Sequence, residues 1–267
     1  MKIKLDGVME TLLITLNFKA KDCSSTNPIL NDKKAQEICS KIDYDFSKFD
    51  KAWMSYYGTL SRAYIMDEEI KKFINKNPDC VVVYIGVGLD SRFERVDNEK
   101  ITWYNIDFPE VMETRKLFFE ENPRVKNISK SALDETWMKD IECNGKELLI
   151  VSEGTFMYLS EEEVKKLLGL LVDNFEKFEL HLDCLYKKNT TISKKHDALK
   201  KLDSDVVFKW GVTDGREVIE LEPRLKQTDY INFTKKMGKV IPLSKKIFIP
   251  LLYWRNNRLC IYRYEKN

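Results

Sequence analysis

The sequence predicts an α/β fold in which helices cover both faces of a doubly wound parallel sheet. Apolar runs at residues 80–85, 148–152 and, more weakly, 178–185 have the length of buried strands. Helical patterns lie between these runs. Strands that alternate with helices form right-handed βαβ units, whose strands are buried on both faces and therefore carry continuous apolar residues. A shorter strand candidate at residues 101–106 precedes Asp107.

Three segments have helical patterns: residues 67–75 before the first strand, 109–122 after Asp107 and 160–175 after the run at 148–152. The last begins with Ser160, and Glu163 stands three residues later. This spacing is typical of a capping box, in which the Ser and Glu side chains satisfy two free N–H groups of the first turn. We therefore expect a helix whose N-cap is Ser160.

The two ends of the chain do not follow this alternation. Residues 1–60 look helical around the apolar stretch 8–18, and the polar residues 187–227 predict an insertion or cap. The chain closes with an apolar run at 247–254 and a last strand near 259–262. Because no repeat or low-complexity linker separates these parts, we expect a single domain.

The composition excludes several classes of protein. The 267 residues are 43% hydrophobic and 33% charged, as in ordinary globular proteins and unlike disordered or collagenous chains. The net charge of +2 predicts neither a nucleic acid nor a membrane as the partner. The charge is uneven, since residues 224–267 hold 11 Lys or Arg and two acids. Solvated surface lysines explain this basic segment, and attraction of an anionic substrate is the alternative.

The cysteines and histidines predict neither disulfides nor a metal site. The six cysteines are scattered without a C-x-x-C pair, which favours reduced thiols in a cytoplasmic protein. His181 and His196 have no second His or Cys at zinc-ligand spacing, and His181 is expected to be structural. The start of the chain lacks a signal-like apolar core, and no run of about 18 apolar residues occurs, which disfavours secretion and membrane spanning.

A nucleotide-site pattern follows the first strand. Gly86 and Gly88 come directly after it, and Asp107 lies 21 residues after Gly86 at the end of the next strand. At this spacing, a carboxylate binds ribose hydroxyls in doubly wound folds. The alternative is an ordinary turn, with Asp107 capping the helix that follows. Ser91 replaces the third glycine of a dinucleotide fingerprint, and Asp90 would repel a pyrophosphate. The pattern therefore favours a nucleoside without phosphates, such as S-adenosylmethionine, over NAD.

Three ordered motifs carry a resemblance to a known family. They are IGVGLDSR at residues 85–92, WYNIDFPEV at 103–111 and SEGTFMYL at 152–159. Together they resemble the leucine carboxyl methyltransferase family, which includes bacterial O-methyltransferases of the tetracenomycin polyketide type. The similarity runs from about residue 10 to residue 185.

The resemblance implies a fold, a division of the chain and a cofactor. The fold is the Rossmann-like class I methyltransferase fold, with a seven-stranded, mostly parallel sheet. The implied parts are a helical lid at 1–60, a cofactor-binding core at 61–186, a substrate cap at 187–227 and C-terminal strands at 228–267. The cofactor is S-adenosyl-L-methionine.

The resemblance also assigns cofactor contacts. It implies that Asp107 binds the ribose, that Glu153 lies near the methionine ammonium, and that Arg62 and Lys19 hold the methionine carboxylate. The alternatives without a binding role are a solvated helix face for Lys19 and a surface turn for Glu153. The resemblance also implies that the loop holding Ser131 and Ala132 lies against the adenine, although the family often has Asp at the position of Ser131. The complete set implied by the resemblance is Lys19, Arg62, Gly86, Gly88, Asp107, Ser131, Ala132 and Glu153.

The expected activity is O-methylation of a small molecule, with a carboxylate preferred over a hydroxyl as the acceptor. A carboxylate needs no general base, and the sequence offers no convincing base for a hydroxyl. Tyr158 either orients the acceptor or serves packing. The alternatives are methylation of a protein C-terminus, a nicotinamide-dependent reductase and a non-catalytic cofactor-binding module.

Overall fold

The computed structural model describes residues 3, 7–120, 122–202 and 206–266. Its seven-stranded sheet has the order β3-β2-β1-β4-β5-β7-β6, and β7 is antiparallel to both neighbours. The predicted α/β fold with a mostly parallel, doubly wound sheet is therefore confirmed. The strands are β1 (Val81–Ile85), β2 (Thr102–Asp107), β3 (Val125–Ser129), β4 (Leu148–Ser152), β5 (Lys177–Cys184), β6 (Lys226–Asn232) and β7 (Arg258–Glu265).

Helices cover the two faces of the sheet. Every residue of β1 and β4 is buried, which explains why their sequences lack polar alternation. Alternate residues of β1 enter separate cores, with Val83 packed on the side of α6 and Val82 on the side of α3. The helices are α1 (Thr11–Cys23), α2 (Lys33–Lys41), α3 (Trp53–Lys76), α4 (Arg92–Val96), α5 (Pro109–Lys116), α6 (Glu161–Asn174), α7 (Arg216–Leu221), α8 (Thr234–Val240) and α9 (Ile249–Arg255).

The capping-box prediction is confirmed. Ser160 Oγ accepts a hydrogen bond from Glu163 N at 3.2 Å, and Glu163 Oε2 accepts one from Ser160 N at 2.7 Å. The expected helix at 109–122 is too long, because α5 ends at Lys116. There the chain turns so that Phe118 is buried in a cluster with Leu13 and other residues of α1. Packing of Phe118 thus ends the helix earlier than the sequence pattern suggests.

The ends of the chain are built from helices around the sheet. The expected boundary between residues 60 and 61 falls inside α3, which is continuous from Trp53 to Lys76. Residues 187–227 contain short helices and the start of β6. Parts of the expected lid (1, 2 and 4–6) and cap (203–205) lie outside the described residues.

The C-terminal segment does not consist of strands alone. Its last strand, expected near 259–262, is confirmed as β7, but α8 and α9 stand between β6 and β7. The apolar run at 247–254 lies largely in α9 and is exposed rather than in the sheet, with Trp254 73% exposed. Within the described ranges, no helix is both long and apolar enough to cross a membrane.

Candidate functional site

A cavity of about 750 Å³ lies at the carboxyl ends of β1, β2 and β4. Volumes of about 300–1,000 Å³ are usual for small-molecule sites. Parallel strands bring their carboxyl ends to one edge of the sheet, where doubly wound folds bind ligands. All eight residues that the resemblance assigned to the cofactor line this cavity, and Tyr158 lines it too: Lys19, Arg62, Gly86, Gly88, Asp107, Ser131, Ala132 and Glu153.

The glycine turn after β1 forms part of the cavity wall. Gly86 and Gly88 have φ values of +71° and +56°, which side chains other than glycine rarely adopt. A Cβ atom on Gly86 would also collide with the side chain of Thr155. The turn therefore requires glycine for its backbone shape and for close packing.

Asp107 is held against this turn. Its Oδ2 accepts a hydrogen bond from Gly88 N at 2.8 Å, and its Oδ1 accepts one from Phe108 N at 2.8 Å. The alternative that Asp107 caps α5 is wrong, because Phe108 is the N-cap residue and Asp107 accepts its hydrogen bonds from Gly88 N and Phe108 N, which precede the first turn of that helix. Burial raises the pKa of Asp107, and the two backbone N–H groups oppose the shift. Each carboxylate oxygen retains capacity to accept a further hydrogen bond.

Glu153 and Arg62 form an ion pair on the cavity wall. Arg62 Nε donates to Glu153 Oε1 at 2.9 Å, and Arg62 Nη1 donates to Asp183 Oδ2 at 3.1 Å. Glu153 is buried rather than a surface turn residue. Burial alone would raise the pKa of Glu153, but Arg92 and Arg62 lower it to about 2. Glu153 is therefore ionised across the neutral pH range.

Lys19 lies in a buried charge network and not on a solvated helix face. It is 3% exposed, and its Nζ lies 2.8 Å from Asp90 Oδ1. Asp90 also pairs with Arg92 and Arg95, at 3.2 Å in each case. The surrounding cations outweigh burial and hold the pKa of Asp90 well below its usual range. The negative charge expected at Asp90 is thus compensated within the protein.

The loop after β3 supplies a less polar part of the wall. Ser131 Oγ accepts a hydrogen bond from Leu133 N at 3.2 Å, and Ala132 O accepts one from Trp137 Nε1 at 3.1 Å. Trp137 is fully buried in the core. Phe108, which is 49% exposed, lines the cavity as well. The cavity therefore combines ion pairs with apolar and aromatic surface.

Another part of the cavity is lined by the segment after β5. Here Tyr158 packs against Phe208, with ring centroids 5.8 Å apart. Burial raises the pKa of Tyr158, which keeps its hydroxyl protonated. Ser55, His196 and Asp197 line the same cavity.

A model of the leucine carboxyl methyltransferase family matches residues 13–172. The chain belongs to this family. This confirms the family resemblance given by the three motifs, and it confirms S-adenosylmethionine as the cofactor. The chain is accordingly a methyltransferase.

Two similar proteins cover most of the chain. The tetracenomycin polyketide synthesis O-methyltransferase TcmP of Streptomyces glaucescens is 31% identical over 225 residues, which are 84% of this chain and 82% of that protein. The S-adenosyl-L-methionine-dependent methyltransferase dpfgK of Gibberella zeae is 29% identical over 244 residues, with the same coverage of 84% and 82%.

Solved structures support the fold. A Thermobifida fusca protein matches with a TM-score of 0.60 at 12% identity, over 94% of both chains. A DUF574 family protein from Streptomyces avermitilis matches with a TM-score of 0.55 at 9% identity, over 77% of this chain and 83% of that one. At these identities the likeness concerns the fold alone, and it agrees with the predicted class I methyltransferase fold.

The described side chains fit S-adenosylmethionine. Arg62 and Glu153 place a cation and an anion 2.9 Å apart, which suits the charged amino-acid end of the cofactor. Asp107 keeps free lone pairs beside its two backbone N–H partners, which suits hydroxyl donors such as those of a ribose. Phe108 and Leu133 give the cavity an apolar surface suited to a purine.

Sequence reasoning missed three ionisable residues near the site. Arg92 is fully buried and donates from Nε to Asp67 Oδ1 at 2.6 Å, and it also bonds Glu153. Asp183 bonds Arg62 and accepts from Gly154 N at 3.0 Å. Its position at the end of β5 matches those of Asp107 and Glu153 on their strands, so the same rule would have found it. His196 is drawn to the cavity by tertiary structure and leaves no local signal.

Proposed function

We propose that the protein is an O-methyltransferase that methylates the carboxylate of a small anionic molecule. The main observation in support is that one cavity contains both the predicted cofactor residues and an apolar space lined by Leu185, Leu199 and Phe208. A hydroxyl acceptor is the alternative. The name of TcmP, an O-methyltransferase of polyketide synthesis, supports the oxygen acceptor and the class of substrate.

The cofactor contacts form the first part of this proposal. Asp107 binds the ribose hydroxyls, and the Gly86 turn lets the backbone approach the cofactor closely. Glu153 faces the ammonium, while Arg62 and Lys19 provide positive charge for the carboxylate. Ser131 and Ala132 contact the adenine. When bound, the cofactor supplies an activated methyl group on a sulfonium.

The chain accelerates the reaction by holding the acceptor in place. Leu185, Leu199 and Phe208 exclude water from the space beside the cofactor residues, and Tyr158 orients the acceptor. Because a carboxylate is already ionised at neutral pH, no proton must leave during its methylation.

Positive charge at the cavity supports an anionic acceptor. Lys209 and Arg255 line the cavity and are both exposed. Neither has a carboxylate within 4 Å among the residues that the structure describes. Two cations without acidic partners attract an anion and increase its rate of encounter.

The N-terminal segment and the segment after β5 close the site in this proposal. Residues 1–60 act as a lid, and residues 187–227 act as a substrate cap over the core of residues 61–186. Both segments contribute to the cavity wall, for example through Leu12 and Phe208. Methyl transfer in a closed cavity is shielded from water.

The test uses the purified protein and S-adenosylmethionine with a labelled methyl group. The acceptors are 2-naphthoate, 2-naphthol and a peptide ending in leucine, and the labelled product is extracted and treated with alkali. A methyl ester releases labelled methanol in alkali, whereas a methyl ether does not.

A base-labile product from 2-naphthoate supports the proposal. A base-stable product from 2-naphthol alone would show that the acceptor is a hydroxyl and not a carboxylate. A labelled peptide would show that the acceptor is a protein C-terminus and not a small molecule. A thermal-shift comparison of S-adenosylhomocysteine with NADH separates the methyltransferase from a reductase, and we expect only S-adenosylhomocysteine to raise the unfolding temperature.

A further inference from the structure

Three polar side chains form a hydrogen-bonded chain in the wall of the cavity. Ser55 lies on α3, whereas His196 and Asp197 lie in the segment after β5. Ser55 Oγ lies 3.4 Å from His196 Nε2, and it donates its own proton to Asp197 Oδ1. Asp197 Oδ2 also accepts from Ser55 N at 3.4 Å. The three groups therefore form a connected set, although Ser55 is about 140 residues before His196 and Asp197 in the sequence.

A backbone contact indicates which nitrogen of His196 carries the proton. Leu199 N lies 3.3 Å from His196 Nδ1 as a hydrogen-bond donor, whereas Asp197 Oδ1 is 3.9 Å from Nδ1, beyond hydrogen-bond distance; this favours an unprotonated Nδ1. A neutral imidazole then carries its proton on Nε2. The hydroxyl proton of Ser55 already points to Asp197, which leaves the Ser55 oxygen free to accept from Nε2–H. The hydrogen bonds among these three side chains can then all donate in one direction, from His196 to Ser55 and from Ser55 to Asp197.

The surroundings of His196 favour the neutral form. Burial lowers the pKa of His196, and Asp197 opposes the shift while Arg62 adds to it. Phe208 packs edge to face against the imidazole, with ring centroids 5.6 Å apart. At neutral pH this imidazole therefore presents an N–H donor to the cavity.

We propose that His196 binds the acceptor by donating a hydrogen bond from Nε2 to its carboxylate, and that it does not act as a general base. This inference rests on the proposed function. A base needs a free lone pair at the nitrogen that faces the substrate, and Nε2 has none in this tautomer. A carboxylate, by contrast, needs a donor and no base. Its oxygen replaces the long contact between Nε2 and Ser55, while Ser55 remains bonded to Asp197.

The tautomer is tested without any substrate. The chain has only two histidines, so nitrogen-15 NMR spectra of the wild type and of His196→Gln assign the signals of His196 by difference. We expect a protonated Nε2 and an unprotonated Nδ1 at pH 7.5. A protonated Nδ1 would overturn the inference, because Nε2 would then be available as a base.

The role in binding is tested on the protein saturated with S-adenosylhomocysteine. We compare 2-naphthoate with 2-naphthol as probes, by calorimetric titration at pH 7.5. His196→Gln keeps an N–H donor near the position of Nε2 but cannot titrate, whereas His196→Ala removes the donor. We expect His196→Ala to weaken 2-naphthoate binding at least fivefold and to leave 2-naphthol binding within twofold. His196→Gln should bind 2-naphthoate within threefold of the wild type.

Equal losses in the two variants, or no binding of 2-naphthoate to the wild type, would overturn the inference. Methylation of 2-naphthol that is abolished in His196→Gln and that rises with pH in the wild type would make His196 a base. In that case O-methylation would still be the activity, but the acceptor would be a hydroxyl and not a carboxylate. Absence of S-adenosylhomocysteine binding to the wild type would instead overturn the proposed function itself.

Discussion

Asp107→Ala tests the assignment of the ribose site. Each oxygen of Asp107 accepts one backbone N–H, from Gly88 or Phe108, and keeps capacity for a ribose hydroxyl. A hydrogen bond to a charged group contributes about 1.5–3 kcal/mol. Loss of one such bond weakens binding by about 10- to 150-fold, and loss of two weakens it further. We therefore expect Asp107→Ala to lower the affinity for S-adenosylhomocysteine at least tenfold.

Isothermal titration calorimetry at pH 7.5 measures this affinity. Glu110→Ala is the matched control, because it removes an exposed carboxylate three residues away on α5, outside the cavity wall. Thermal unfolding of both variants checks that the fold is retained. A folded Asp107→Ala protein that binds within threefold of the wild type would refute the assignment.

The pH dependence of binding gives a second measurement on Asp107. Burial raises the pKa of Asp107, and the ionised carboxylate is the form that accepts hydrogen bonds from two hydroxyls. The affinity of the wild type should therefore fall as the pH decreases through the raised pKa. The affinity of Asp107→Ala should change less over the same range, and parallel curves would contradict this role.

Three further perturbations test the site and the fold. Arg62→Ala should weaken S-adenosylhomocysteine binding at least tenfold, about 1.4 kcal/mol, whereas Lys72→Ala on the exposed face of α3 should leave calorimetric affinity unchanged. Burial raises the pKa of Asp183 to about 6 from 3.8, so the folded state binds its proton more tightly than the unfolded state. The Asp183 contribution to stability is therefore present below pH 4 and is lost as the pH rises to about 6; urea titrations should show that Asp183→Asn lacks this loss. Ser160→Ala removes one bond of the capping box and should lower the urea-derived free energy of unfolding by about 1 kcal/mol, without a change in cofactor affinity.

Local patterns were sufficient for the central fold. The strand at residues 80–85 and the helix that begins after Ser160 were predictable because each signal lies within a few residues of the element it specifies. The end of α5 was not, because it depends on burial of Phe118 against Leu13, more than 100 residues earlier in the chain. The exposed helix at the apolar run 247–254 was also missed, since apolar content usually indicates burial.

The residues of the candidate site likewise fall into those that local sequence patterns predict and those that depend on tertiary structure. Asp107 and Glu153 directly end or follow strands, so their place at the edge of the sheet follows from topology alone. His196 reaches the cavity only through the path of the chain after β5. The burial of Arg92 could not be predicted, because charged side chains are rarely buried. It depends on the carboxylates of Asp67 and Glu153, which other segments contribute.

The buried ion pairs beneath the cavity explain why Glu153 can serve a charged ligand. Arg92 is fully buried and bonds Asp67 as well as Glu153, so the carboxylate of Glu153 is fixed by Arg92 on one oxygen and by Arg62 on the other. The free energy needed to desolvate these charges is part of folding and therefore does not reduce the free energy of ligand binding. In the proposed site, a ligand would meet an ionised carboxylate already held in place, and less ordering would remain to be done on binding. It follows that removal of Arg92 should reduce stability more than removal of Arg62, since Arg62 borders the cavity and water can replace it.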